Sequence, residues 1–210
     1  MKVLIVAKTR MHRGEYCVGG LAQKGYYNVR LLTDRRENQP WDTRFEVGDI
    51  WDLEFQPLKK PEPPHIEDVT VTSRIKLSHI DNIREVVLKR APVWRGDIAS
   101  VFDRQLQFTP GGAGYVSLQS RHGMPKGSVG FWLTDTELTL KSEEREGKTK
   151  HVYHTVDAEK NARHLPYVGL NEPQPILEPG TLLRVSLARW WTPDLRVEER
   201  CYLQLSGWYE

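Results

Sequence analysis

One line of this chain is written twice. Residues 45–55 read F-E-V-G-D-I-W-D-L-E-F, and residues 177–187 read L-E-P-G-T-L-L-R-V-S-L. Aligned at Gly48 and Gly180, both show an apolar residue, a glutamate, an apolar or proline position, a glycine, a small polar residue and then a strand pattern. A glycine that turns the chain into a long strand, used once in each half, implies two related β units. That narrows the fold class and, through it, the ligand class. It identifies no reaction.

At 210 residues the chain can bury a sizeable core, as one large β domain or two small ones. Its 39% hydrophobic and 28% charged residues fit a soluble globular protein. No stretch approaches the roughly 20 apolar residues of a membrane-spanning helix. The opening segment has one basic residue ahead of the five-residue apolar run Val3–Ala7. A signal-peptide core needs about 7–15 such residues, so this reads as a first strand and the protein as cytoplasmic. Cys17 and Cys201 make no disulfide framework and cannot alone build a tetrahedral zinc site. They read as two reduced thiols.

Lys2–Ala7 reads as a strand, Lys8–Gly25 as a polar loop and Tyr26–Leu32 as a second strand. From Trp51 the next strand alternates: Trp51, Leu53 and Phe55 share one face, Asp52, Glu54 and Gln56 the other, and only Ile50 breaks the parity. A proline-rich connector, 57–64, leads to a return strand at Glu67–Thr72. Asp81–Arg90 has helical spacing, with Asp81 placed to cap it and Pro92 to stop it; a short helical turn follows at Gly96–Asp103. The rest reads as short strands: Gly114–Gln119, Gly130–Thr134, Glu137–Lys141, Lys150–Thr155, Tyr167–Leu170, Thr181–Trp191 and Arg200–Trp208, with a charged mobile loop at Glu143–Lys150. Short strands, glycine turns and one intervening helix suit the five-stranded OB barrel. A single larger sandwich is the competing architecture.

Four segments carry a family resemblance: the opening K-V-L-I-V-A-K-T-R, the Y-C-V-G-G-L of Tyr16–Leu21, the F-E-V-G-D-I-W run, and the ending C-Y-L-Q-L-S-G-W-Y of Cys201–Tyr209. Together they resemble the bacterial dual-OB family over nearly the full length. The resemblance implies two OB-like barrels in tandem and a nucleic-acid or nucleotide binder associated with bacterial defence and conflict systems. It brings no catalytic residue set.

The expected fold is therefore mainly β: two tandem OB-like barrels with a short helical insertion between them. Residues 1–103 form the first unit, with the connector and helix, and residues 104–210 the second. The expected function is binding of nucleic acid, preferably single-stranded, by capture of phosphates and stacking of bases. Net charge is only +2, but through Thr33 there are six lysines and arginines against one acid, Glu15. Lys8, Arg10, Arg13 and Tyr16 are the leading candidates, because the loop joining the first two strands borders the ligand face of an OB barrel. Arg30, Arg121, Lys126 and Trp191 follow. The same charges could instead pair with acids of the other half. Trp190 and Trp191 adjoin on a strand, so one belongs to the core and the other faces out.

The glycines at 111–114 match neither a P-loop nor G-x-G-x-x-G and read as a turn. His151 and His154, three apart on a strand, point to opposite faces and make no joint metal site. The scattered acids and serines show no catalytic arrangement, and no metal or cofactor is expected. Two other functions compete with nucleic-acid binding: a protein–protein adaptor for an effector, favoured by the near-neutral charge, and a nucleotide sensor with a pocket between the halves.

Overall fold

A computed structural model describes residues 1–11, 14–119, 123–145, 147–192, 194 and 197–210. The first half closes on itself. β1 (Lys2–Arg10), β2 (Tyr16–Ala22), β3 (Tyr27–Leu32), β4 (Asp49–Pro57) and β5 (Asp68–His79) form a closed barrel in the order β1-β2-β3-β5-β4. Every neighbouring pair is antiparallel except β3 and β5, which run parallel with Leu31 opposite Val69. This is the OB arrangement.

β1 is a continuous apolar run because it is covered on both sides. Val3 and Ile5 join Val18, Val29, Trp51 and Leu53 inside the barrel. Leu4 and Val6 join a second core outside it. β4 alternates as expected, with Trp51 and Leu53 buried and Asp52 and Glu54 exposed. Ile50, which breaks the alternation, packs against that second core. β5 is far longer than the expected return strand, and its last eight residues are exposed.

A helix, α1 (Ile83–Arg90), follows the barrel and lays Ile83 and Val87 into the second core. Its cap is Asn82, whose side chain accepts the Glu85 N–H at 2.9 Å, not the expected Asp81. A capping side chain serves the N–H two or three residues on, and the first turn starts one residue later than its charge pattern suggested.

The second half holds β6 (Val93–Gly96), a 3-10 segment (Ile98–Arg104), β7 (Gln107–Phe108), β8 (Gly114–Ser117), β9 (Val129–Thr134), β10 (Leu138–Arg145), β11 (Lys148–Val156), β12 (Ala162–Pro166), β13 (Ile176–Leu177), β14 (Leu182–Leu187) and β15 (Arg200–Tyr209). A six-stranded sheet, β6-β9-β14-β15-β8-β7, and a four-stranded sheet, β12-β11-β10-β13, enclose one core that includes Phe102, Trp132, Tyr153, Val185 and Leu205. β6 lies parallel to β9, so Val93–Gly96 is hydrogen-bonded into the second half's sheet.

Three expectations change. Lys8–Gly25, read as a polar loop, holds the end of β1 and all of β2, so Lys8 and Tyr16 lie on strands. The charged stretch Glu143–Lys150 is not a free loop: the β10–β11 hairpin runs through it, with Glu143 opposite Lys150, an opposite-charge placement that favours pairing. The strand expected at Tyr167–Leu170 sits earlier, at Ala162–Pro166, and Tyr167 adds a single parallel bridge to Leu205.

The repeated line is also repeated in geometry. Gly48 and Gly180 both adopt left-handed backbone, φ +94° and +88°. The Gly48 N–H donates to the Ile5 carbonyl at 2.9 Å, and the Gly180 N–H to the Thr134 carbonyl at 2.7 Å. Two residues on, Ile50 faces Leu4 and Leu182 faces Leu133. So β9, β14 and β15 stand where β1, β4 and β5 stand. β11 and β12 pair antiparallel like β2 and β3, and the Tyr167–Leu205 bridge repeats the parallel contact of β3 with β5. One difference matters. β1 runs unbroken from its β4 partner to its β2 partner, whereas the second half breaks between Thr134 and Leu138 into β9 and β10. The second unit is an OB barrel opened at its first strand, with β6, β7 and β8 added.

The halves share the second core, where Leu4, Val6 and Leu21 meet Phe131, Leu182 and Tyr209. The Tyr209 hydroxyl donates to the Val6 carbonyl. The β4–β5 connector braces the other side of this seam. Its Pro63 carbonyl accepts the Trp190 indole N–H at 2.9 Å, His65 Nε2 lies 3.3 Å from the Leu187 carbonyl, and Glu67 accepts from the Ser128 hydroxyl and N–H.

Candidate nucleic-acid interface

An OB barrel binds nucleic acid on the outer face of its second and third strands and on the loops beside them. In the first half that face is covered. Leu21 of β2 is buried against Phe131 and Leu182. A Cβ on Gly19 would stand 2.8 Å from Arg184 Nη2. Asn28 of β3 accepts from Arg184 Nη1 at 3.0 Å. Arg184 is buried, with its guanidinium 5.2 Å from the centre of the Phe131 ring, and burial lowers its pKa from the ordinary arginine value. A planar guanidinium suits this place, because it can bond in its plane and stack through its faces.

The expected phosphate-gripping residues fare differently. Lys8 ion-pairs with Glu46 at 2.7 Å, its side chain is only 9% exposed, and its ammonium lies 4.8 Å from the Tyr16 ring centre. Arg30 donates to Asp68 at 3.0 Å, and Asp68 also accepts from Arg189 of the second half. Both basic groups thus have acidic partners in the same barrel: the exposed Glu46 for Lys8 and the buried Asp68 for Arg30. Tyr16 is half-buried beneath Lys8. Arg10 is exposed at the end of β1. Arg13 and Arg121 lie outside the described residues.

Lys126 is exposed at the seam, on a slot of about 400 Å³ lined by Tyr26, Tyr27 and Phe55. Trp190 packs partly buried against the core, while Trp191 is 57% exposed and stacks tilted against Tyr202 at 6.0 Å. The structure thus brings Lys8 and Tyr16 together, ties Arg30 to Asp68 at the start of β5, and leaves Lys126 and Trp191 in separate settings.

The matching face of the second half is open. Thr139, His154 and His164 stand in one cross-strand row of β10–β12, with Lys141, Val152 and Pro166 in the next and Glu143 beside Lys150 beyond. Lys141 and Lys150 are exposed and make no ion pair among the described residues. The His154 and His164 rings lie 5.8 Å apart. Desolvation, then the positive charges of Lys141 and His164, hold His154 below the usual histidine pKa. His151 turns the other way and bonds the Ser142 hydroxyl at 2.8 Å. The two lysines on this open sheet can neutralise phosphates, and the two imidazole rings can stack on unpaired bases.

Lys141, Lys150, His154 and His164 were not among the nucleic-acid-binding candidates read from the sequence, where His154 was weighed only as a metal ligand. The signal that could have found them is the repeat itself, which places these strands at the second barrel's ligand face.

A closed five-stranded barrel in OB order, followed by an opened copy that repeats its glycine turn and register, defines a two-unit OB protein. The chain belongs to the family of dual OB-containing domains, whose family model matches residues 1–208. No curated protein and no solved structure matches the chain. No helix among the described residues is long and apolar enough to cross a membrane.

Proposed function

We propose that this dual-OB protein binds single-stranded nucleic acid on the outer face of β10–β12. The reading rests on one observation: of two equivalent OB faces, the first is sealed by the second half and the second is free, carrying Lys141, Lys150, His154 and His164. Capture would be electrostatic, with the imidazoles adding stacking. The cytoplasm, where Cys17 and Cys201 stay reduced, is the compartment this reading assigns, and service in a bacterial defence system is the role that the family likeness suggests. A labelled single-stranded oligonucleotide titrated at low and high salt tests it. Affinity that falls steeply with salt supports the reading, and absence of binding at low salt rejects it.

A second reading is that the chain holds an effector protein. The exposed Trp191, tilted against Tyr202, and the exposed Leu118 favour it, as does the net charge of +2. It predicts stable co-purification with a partner, lost in Trp191→Ala, with no affinity for oligonucleotides.

A further inference from the structure

A cavity of about 760 Å³ lies beside the open face. It forms between the 3-10 segment Ile98–Arg104, the end of β6 and the turn joining β11 to β12. We propose that this cavity binds a phosphomonoester.

The charge pattern points to an anion. Arg95, Arg104, Lys160 and Arg163 all line the cavity. Arg163 is fixed, paired with Asp157 at 2.5 Å and lying 4.0 Å from the Phe108 ring centre. Arg95, Arg104 and Lys160 are exposed and make no ion pair among the described residues. Two of the four acids on the wall are held by partners on the wall itself. Asp97 accepts the Ala99 and Ala158 N–H groups through its two oxygens, and Asp157 accepts from Glu159 and Asn161 as well as Arg163. Asp135 and Glu159, which accepts from the Asn161 amide at 3.3 Å, share the wall with the three cations that make no ion pair among the described residues.

The wall is built at the expense of backbone comfort. Phe102, Asp103 and Arg104 are three consecutive non-glycine residues in left-handed conformation, φ +53°, +57° and +63°. Such strain persists only where the surroundings impose it. Here Phe102 is buried 4.8 Å from the Trp94 ring, and Asp103 accepts the Trp94 indole N–H at 3.0 Å. Those two anchors fix the run, and Arg104, its third residue, is left on the cavity wall. The first barrel has no such run of three consecutive left-handed residues among its described residues.

A guanidinium pair with a nearby ammonium suits a dianion, because arginine can donate two parallel hydrogen bonds to phosphate oxygens. The volume falls in the range of small-ligand sites, about 300–1,000 Å³, and admits a mononucleotide. The phosphate could come from a free mononucleotide or from the end of a strand lying on the adjacent face. The site has its own walls, so its test stands whether or not the open face binds nucleic acid.

The experiment has two arms, run on the full chain and on the double variant Arg95→Gln/Arg104→Gly. Glycine at position 104 relaxes the left-handed backbone, so the fold is retained, and an unchanged melting temperature without ligand checks this. The first arm compares AMP with adenosine by thermal shift and calorimetry. The second compares 5′-phosphorylated with 5′-hydroxyl oligonucleotide by anisotropy. The expected result is at least about tenfold tighter binding of the phosphate-bearing probe in one arm, lost in the variant; the responding arm identifies the source. The proposal is overturned if neither phosphate-bearing probe exceeds its phosphate-free partner, or if the advantage survives in the variant.

Discussion

The two halves start from the same turn and end with opposite surfaces. Gly48 and Gly180 donate to equivalent strands and set the same register two residues later. Yet β1 continues into β2 and closes its barrel, while the break after Thr134 splits the corresponding strand and leaves the second unit open. The closed barrel then spends its OB face on the seam, and the opened one keeps its face free. A repeated fold does not imply a repeated site: docking one copy against the other can consume the surface that the fold would otherwise offer.

The comparison breaks most visibly at the seam. Leu21→Ala removes a buried leucine from the covered face and is expected to lower unfolding free energy by about 2–5 kcal/mol. Val152→Ala, on the open face, should change it by under about 1 kcal/mol. Urea midpoints of the two variants measure the contrast, and equal effects would mean that the faces are not differently covered.

The connector brace should be sensitive to acid. Burial first, then the charge of Arg189, pushes the His65 pKa down to about 4 from 6.5. The folded state therefore resists protonation that the unfolded chain accepts. Stability from neutral His65 is complete above pH 6.5 and is lost as pH falls toward 4, by about 3 kcal/mol at most. His65→Gln should lose correspondingly less stability between pH 7 and pH 4, read from urea midpoints at the two pH values.

A smaller contrast separates the two turns. Both glycines hold left-handed φ, so alanine at either costs about 1 kcal/mol or more. At Gly48 a Cβ would also meet the Ile80 carbonyl oxygen at 2.6 Å, whereas at Gly180 nothing lies within 4 Å. Gly48→Ala should therefore lower the melting temperature more than Gly180→Ala does.

Much of this fold was legible in the sequence because its constraints are local. The glycine turn, the alternation of Trp51 and Leu53 and the unbroken apolar β1 all follow from neighbours a few residues apart. The site was less legible because it depends on distant partners. Lys8 finds Glu46 and Arg30 finds Asp68, each 38 residues away, so neither ion pair shows in a run of basic residues. Which OB face stays free depends on how the halves dock. The only local trace was Y-C-V-G-G-L-A, the β2 run, with no charged side chain at an outward position. Ile50 is the instructive residue: its break of parity marked the strand that also faces the seam.

The most direct measurement is anisotropy of a labelled single-stranded oligonucleotide against three proteins: the unaltered chain, Lys141→Glu/Lys150→Glu, and Arg10→Glu. The account predicts salt-sensitive binding by the unaltered chain, about tenfold or greater weakening on reversing the two lysines, and a change within about twofold on reversing Arg10. Binding that survives the double reversal but is lost with Arg10→Glu would contradict it, and would return the interface to the first barrel.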